Sequence, residues 1–275
     1  MTSPTAFCPG YPPPYADLVA ACPDETVYPP GDFRVEWGPI FHRGRLDGTA
    51  QLLVLGQDPA VQETITRRIL VGAAGQRTQG LLARLGLTRS YVMINTFLYS
   101  VYGQAGGAAH HADPAIADYR NQWLHTLTAG NPIGAVITLG TLAAEAFSDW
   151  TATPAGSGFT GLHAALLHPT YPESASGHGQ ISLADATARL LDNWNAALPG
   201  LIAAIAHPDQ PPDPTPYGAA FTAADLPPVP AGDLPPGLPA WMRRGSWAKR
   251  TGATTALKRA TIQLAVPAAA RPAVN

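Results

Sequence analysis

The sequence predicts an α/β fold, a three-layer α/β/α arrangement around a central four-stranded, mostly parallel sheet. Three observations predict it. Short apolar runs at 52–55, 91–95, 135–139 and 164–167 read as strands, and runs that are apolar throughout belong to a sheet covered on both faces. Helical patterns at 78–85, 116–129, 142–147 and 182–197 alternate with them, the order expected of a parallel sheet with helices on either side. Polar residues then close each run: Gln57 and Asp58, Asn95 and Thr96, Gly140 and Thr141, His168 and Thr170. Ligands of such sheets sit beyond the carboxyl ends of the strands, so a carboxylate, an amide and an imidazole should converge on one edge.

Four segments follow in order. Residues 1–50 form an irregular lead-in packed on the core, with Pro12-Pro13-Pro14 and Pro29-Pro30 between scattered aromatics such as Tyr28, Phe33, Trp37 and Phe41. Residues 51–207 hold the strands and helices. Residues 208–240 are dense in proline, which excludes regular helix and central strand and leaves an extended connector. Residues 241–275 carry Arg243, Arg244, Lys249, Arg250, Lys258, Arg259 and Arg271 and no acidic residue.

Bulk properties narrow the functional classes. Charged residues make up 13% of the 275, against 29 Pro and 27 Gly, a loop-rich composition. The formal net charge of -2 provides no global field for a nucleic acid, so any such contact needs a local basic face, which residues 241–275 supply. Two cysteines, Cys8 and Cys22, cannot build an iron–sulfur cluster or an all-thiolate zinc site, and neither metal nor cofactor is expected. No apolar run approaches the ~20 residues of a membrane span, and no leader pattern opens the chain; a soluble, cytoplasmic monomer is the expectation.

Two turns concentrate the chemistry. Gly56-Gln57-Asp58-Pro59-Ala60 follows the first run; Asp before Pro is equally a plain helix start, with Asp as cap. Glu63, Arg67 and Arg68, and the stretch Leu70-Val71-Gly72-Ala73-Ala74-Gly75-Gln76 come next, then Asn95. The second turn is His168-Pro169-Thr170, where the proline favours extended backbone at the histidine.

From about Leu52 to Gly179 these features resemble the uracil-DNA glycosylase superfamily, in mixed form. Gly56-Gln57-Asp58-Pro59 is similar to the first motif of the classical family; the Glu63 spacing and residues 70–76 are similar to the thermophile-type iron–sulfur family, whose cysteines are missing here. His168-Pro169-Thr170 is similar to the second motif of both. The resemblance implies a DNA repair enzyme that flips uracil out of single- or double-stranded DNA, hydrolyses its N-glycosidic bond and leaves an abasic site and free uracil. Asp58 and His168 would be catalytic. Gln57, Asn95, Glu63 and Leu70 would bind uracil, and Arg67, Arg68, Thr170 and Tyr171 would bind DNA, with a wedge loop at 171–180.

Departures from the family pattern are specific. Ala60 stands where the classical motif has a tyrosine beside uracil C5, so Glu63 either takes over that wall or is merely a first-turn glutamate suited to the helix dipole. Leu70 stands where a phenylalanine stacks on the base, with Phe97 or a lead-in aromatic as substitutes. His110 and His111 fall in the loop where a distant relative traps the cleaved sugar covalently, without its basic neighbours. Arg77, Arg84 and Arg89 read as helix-face charges, and Trp241 and Trp247 as stacking platforms in a phosphate-tracking tail. The alternatives are a glycosylase for other damaged or mismatched bases and a binding protein without turnover.

Overall fold

A computed structural model describes residues 10–102, 104–179 and 181–271. Among them, a five-stranded sheet has the order β1-β3-β2-β4-β5, with β1 Arg43–Gly44, β2 Leu52–Gly56, β3 Tyr91–Asn95, β4 Ala135–Leu139 and β5 Leu162–Leu166. β2, β3, β4 and β5 are mutually parallel. The expected four-stranded sheet gains β1, which pairs antiparallel with β3 through Arg43↔Met93 and Gly44↔Val92. Two residues are too short to carry a periodic signal.

Alternation along the strands splits the core in two. Leu53 and Leu55 of β2, with Val92, Ile94 and Val136, face helices α1 (Tyr15–Ala20), α5 (Pro114–Gly130) and α6 (Thr141–Thr151), meeting Leu18, Trp123, Leu124, Phe147 and Trp150. Leu52 and Val54, with Tyr91, Met93 and Ile137, face α3 (Gly72–Arg84) and α8 (Leu183–Ala204), meeting Leu81, Leu82, Leu190, Trp194 and Leu201. Both faces of the inner strands are therefore apolar, and the helices form the two outer layers. β5 departs from expectation: it starts two residues earlier and is the edge strand, with Leu162, His163 and Ala165 exposed.

Tyr15, Tyr28 and Phe33 of the lead-in are buried in the first core layer; Cys8 lies outside the described residues. The Pro-rich segment 208–240 is extended but firmly attached. Asp209 accepts the N–H groups of Thr88, Arg89 and Ser90 at 2.8, 2.8 and 2.9 Å, Asp225 pairs with Arg84 at 2.6 Å, and Asp233 is buried against Arg43 and Arg45. Beyond it, β6 (Ala248–Arg250) and β7 (Ile262–Leu264) form an antiparallel hairpin enclosing α9 (Thr255–Ala260). Met242, Trp247 and Ala248 seat this hairpin on Val61 of α2 (Val61–Thr66). Trp247 is buried and donates its indole N–H to Met242 O at 2.8 Å, so it is packing and not the stacking platform anticipated for it. No helix among the described residues is long and apolar enough to cross a membrane.

Candidate active site

The chain leaves β2 for β3 on one side, and leaves β4 for β5 on the other. The edge beyond β2 and β4 is thus a switch point, where connections diverge and open a crevice. Gly56 ends β2 in register with Asn95 at the end of β3. A Cβ at Gly56 would run into Oδ1 of Asn95, so only glycine allows the buried amide this approach. The ladder then continues past the strands: Thr96 N–H donates to Gly56 O and Phe97 N–H to Gln57 O, both at 2.9 Å.

This extension holds the Gln57-Asp58 turn against residues 96–101. The Asp58 carboxylate accepts the Val101 N–H at 3.0 Å and the Gln57 side-chain amide at 3.2 Å. Burial pushes its carboxyl up to about 6, opposed by those two hydrogen bonds and by the nearby charge of Arg34. Asp58 makes no helix cap: the N-cap of α2 is Ala60. The reading of Asp-Pro as a plain helix start is therefore displaced by two residues.

Glu63 is buried, and it binds backbone. One oxygen accepts the Ala60 N–H, and the other accepts the Val71 N–H at 3.3 Å. Ala60 has no side-chain acceptor, so only the glutamate half of a capping box exists. Burial pushes Glu63 up to about 7, and the adjacent Asp58 charge adds in the same direction. Glu63 thus ties the start of α2 to the 67–72 turn, where Arg67 and Leu70 adopt left-handed φ of 57° and 50°. Leu70 is 4% exposed and belongs to the core layer under α3.

That turn redirects both predicted DNA-binding arginines. Arg67 donates to Trp37 O and Pro39 O, both at 2.6 Å, bracing the lead-in. Arg68 is buried and donates to Arg67 O at 2.7 Å. The Arg68 guanidinium is thus buried, while Arg67 stays exposed and spends part of its donors on the lead-in carbonyls.

His168 follows β5, with its Cβ 3.7 Å from where a Cβ on Gly140, at the end of β4, would stand. Its Nδ1 accepts the Thr170 N–H at 3.2 Å and lies 2.9 Å from the Thr170 hydroxyl. A ring nitrogen that accepts an amide N–H carries no proton, so Nε2 is the N–H donor. Burial, with the Arg77 cation adding, pushes the imidazole down to about 4, which keeps it neutral near pH 7. Arg77 donates to Pro169 O at 2.5 Å and to the Glu173 carboxylate at 2.6 and 2.9 Å. It braces the His168 turn and is not the plain helix-face charge it resembled.

The other predicted positions are distributed as follows. Thr170 is the N-cap residue of α7 (Tyr171–Gly177), so the anticipated wedge loop is mostly helix. Tyr171 packs on the α3/α8 core layer and accepts from Arg189 at 3.2 Å. Asn95 is 5% exposed and its Nδ2 has no partner among the described residues. Phe97 is fully buried against Phe33, with ring centroids 5.4 Å apart, which removes it as a base-stacking surface. Both nitrogens of His110 are held by carboxylates, Nδ1 by Asp113 at 2.6 Å and Nε2 by Asp32 at 3.0 Å. The Asp113 hydrogen bond leads in raising its pKa, and a cation so held has no lone pair for covalent trapping.

β2 and β5 are separated in the sheet by β4, so the Asp58 and His168 turns stand two inter-strand spacings apart, about 10 Å. The two turns thus bring an acceptor carboxylate and a neutral N–H donor to the same carboxyl-terminal edge of the sheet. No curated protein matches the sequence. The family model described as Uracil DNA glycosylase superfamily matches residues 43–206, more than half of the chain and the span that contains both turns; the chain belongs to the uracil-DNA glycosylase superfamily, a family of DNA glycosylases.

Proposed function

We propose that the protein removes uracil from DNA by hydrolysing its N-glycosidic bond. One observation carries this reading: an ionisable, backbone-anchored carboxylate after β2 and a neutral imidazole locked as an Nε2–H donor after β5 stand at the same carboxyl-terminal edge of the sheet, with only β4 between them. Extruding a nucleotide from the stack costs a few kcal/mol, and the pocket must return it. Asn95, whose Nδ2 lacks a partner among the described residues, would donate to uracil O4 and accept from N3–H.

In the reaction, the N1–C1′ bond breaks and its electron pair passes to the uracil ring, felt mainly at O2. His168 donates a hydrogen bond from Nε2 to that oxygen. Water adds at the cationic C1′ and gives its proton to the Asp58 carboxylate, which also stabilises the cationic sugar. The uracil anion takes up a proton from solvent and Asp58 gives its proton back to solvent, leaving free uracil, an abasic site and the carboxylate restored. Alkaline cleavage of uracil-containing single- and double-stranded oligonucleotides tests this: strand breaks with wild type and none with Asp58→Asn are expected, and breaks in neither sink the proposal.

The pH profile carries its own signature. Asp58 works ionised, and its carboxyl sits at about 6, while His168, at about 4, is already neutral there. Single-turnover cleavage is expected to rise through pH 5–7 with one ascending limb and then level off. A rate independent of pH over that window contradicts the role given to Asp58.

Cytosine inverts both Asn95 partners, and each buried polar group left unpaired costs about 1–3 kcal/mol. Asn95→Asp is expected to gain measurable cytosine excision and to lose uracil excision. Unchanged activity on both bases removes Asn95 from base reading.

A second reading rests on the C5 side of the pocket. Ala60 is exposed and small, and Glu63 is turned onto backbone, so neither forms a wall against a 5-methyl group. The same crevice therefore accommodates a mismatched thymine, and an oligonucleotide panel with thymine and hypoxanthine lesions separates the two readings.

A further inference from the structure

The lead-in reaches the candidate catalytic carboxylate directly. Arg34 N–H donates to Ser100 O at 2.8 Å and Tyr102 N–H to Asp32 O at 2.7 Å, with Phe33 bridged antiparallel to Val101. Val101 in turn donates its N–H to Asp58. Arg34 is therefore one short β-bridge away from Asp58.

Its side chain is unusual. Arg34 is 4% exposed, and its Nε and Nη1 have no hydrogen-bond partner among the described residues. The guanidinium lies over two rings, 4.7 Å from the Trp37 centroid and 4.0 Å from the Tyr102 centroid. Two more cations from the far end of the chain use the same rings. Arg259 of α9 lies 3.9 Å from Tyr102 and Arg250 of β6 lies 5.6 Å from Trp37. Glu36 is occupied by the Tyr102 hydroxyl at 2.9 Å, and none of the three arginines forms an ion pair among the described residues. Ring faces offset part of the cost of desolvating a cation. The Glu36 and Asp58 carboxylates act on Arg34 from nearby but are outnumbered by the three cations, and an arginine buried with open donors is arranged for an oxyanion.

We propose that Arg34, Arg250 and Arg259, held on Trp37 and Tyr102, form the binding site for the backbone phosphate that flanks the nucleotide entering the Asp58 crevice. The seating of the C-terminal hairpin on Val61 then has a purpose, because it brings Arg250 and Arg259 to the rim. The nucleotide's identity rests on the glycosylase reading; the affinity for a phosphodiester does not.

The test is fluorescence anisotropy of the full chain with a labelled single-stranded oligonucleotide of about 15 nucleotides, over a potassium chloride series. Arg250→Gln and Arg259→Gln lie on the outside of the cluster and leave the core intact. Each is expected to weaken binding several-fold at low salt and to flatten the plot of log affinity against log salt by about 0.7. Arg34→Gln, with folding checked by circular dichroism, should do the same. In the Asp58→Asn background, a methylphosphonate beside the uracil should weaken binding to the otherwise unaltered chain and have little further effect once Arg34 is Gln. Wild-type salt slopes in both Arg250→Gln and Arg259→Gln overturn the phosphate site even if uracil is excised normally. Flattened slopes with no uracil excision by wild type uphold the phosphate site and remove the glycosylase reading instead.

Discussion

Asp58→Asn is expected to lower the single-turnover rate of uracil excision by about 10²–10⁴-fold, the contribution of a positioned base, without loosening the fold. Asparagine keeps the shape of the carboxylate and an oxygen that can accept the Val101 N–H, which anchors the turn at 3.0 Å. The charge is what goes. Because burial raises the Asp58 carboxyl to about 6, above its value in an unfolded chain, the folded state favours the protonated form. Stability from this group is thus complete below the unfolded value and is lost as pH rises through 6. Asparagine removes that loss, so the variant's melting temperature at pH 7.5 should equal or exceed wild type while its rate collapses. His168→Ala completes the pair, with a rate expected to fall by about 10²–10³-fold as one donor to the developing anion disappears. Single-turnover kinetics alongside thermal melts check both. A variant that is slow only because it is unfolded, or one that is folded and fast, contradicts the assignment.

Asp233→Ala is expected to produce the largest stability effect, about 3–5 kcal/mol, because it strips a buried charge of its partner. Asp233 accepts from Arg45 at 2.9 Å, from Arg43 at 3.4 Å and from the Tyr91 hydroxyl at 2.5 Å. Arg43 and Asp233 have no side-chain exposure at all. Arg43 would keep hydrogen bonds to two neutral acceptors, the Gln79 oxygen at 3.2 Å and the Met93 sulfur at 3.1 Å, and no opposite charge. The consequence reaches the sheet, since Arg43 forms β1 and Tyr91 opens β3. Urea denaturation should show the midpoint falling sharply, and a loss below about 1 kcal/mol would mean that water reaches the cluster and screens it. Replacing Arg43 and Asp233 together by apolar residues is expected to recover much of the loss.

The sequence carried the sheet where burial is symmetric. β3 and β4 match their apolar runs residue for residue and β2 extends by only Gly56, because an inner strand between two core layers must be apolar at every position. β5 slipped because an edge strand exposes Leu162, His163 and Ala165, which breaks the continuous run. The first half of α3 stayed hidden behind Gly72 and Gly75. Gly75 is required by close approach, since a Cβ there would meet Leu70 O, as is Gly80 further along, where a Cβ would meet Asp225 O. At the site, Asp58, Asn95 and His168 were legible as polar residues ending apolar strands. The contacts of Arg67 and Arg68 were not legible, because their direction is decided by a left-handed turn, which composition does not announce. Arg77 looked like any helical arginine until α7 placed Glu173 beside it. Arg34, Arg250 and Arg259 were illegible as a group, since residues from opposite ends of the chain meet only through packing.

The extended segment 208–240 bears on how much of the chain is needed to make the sheet. The family match stops at 206, yet Asp233, Tyr217 and Val229 lie beyond it and are buried in the interior. A fragment cut at that boundary would retain both candidate catalytic turns on paper while leaving Arg43 uncompensated and α3 uncovered along one side. Deleting the segment from the full chain would face the same obstacle: either residues 208–240 stay with the contacts they close, or the sheet edge beneath them must be rebuilt with neutral side chains.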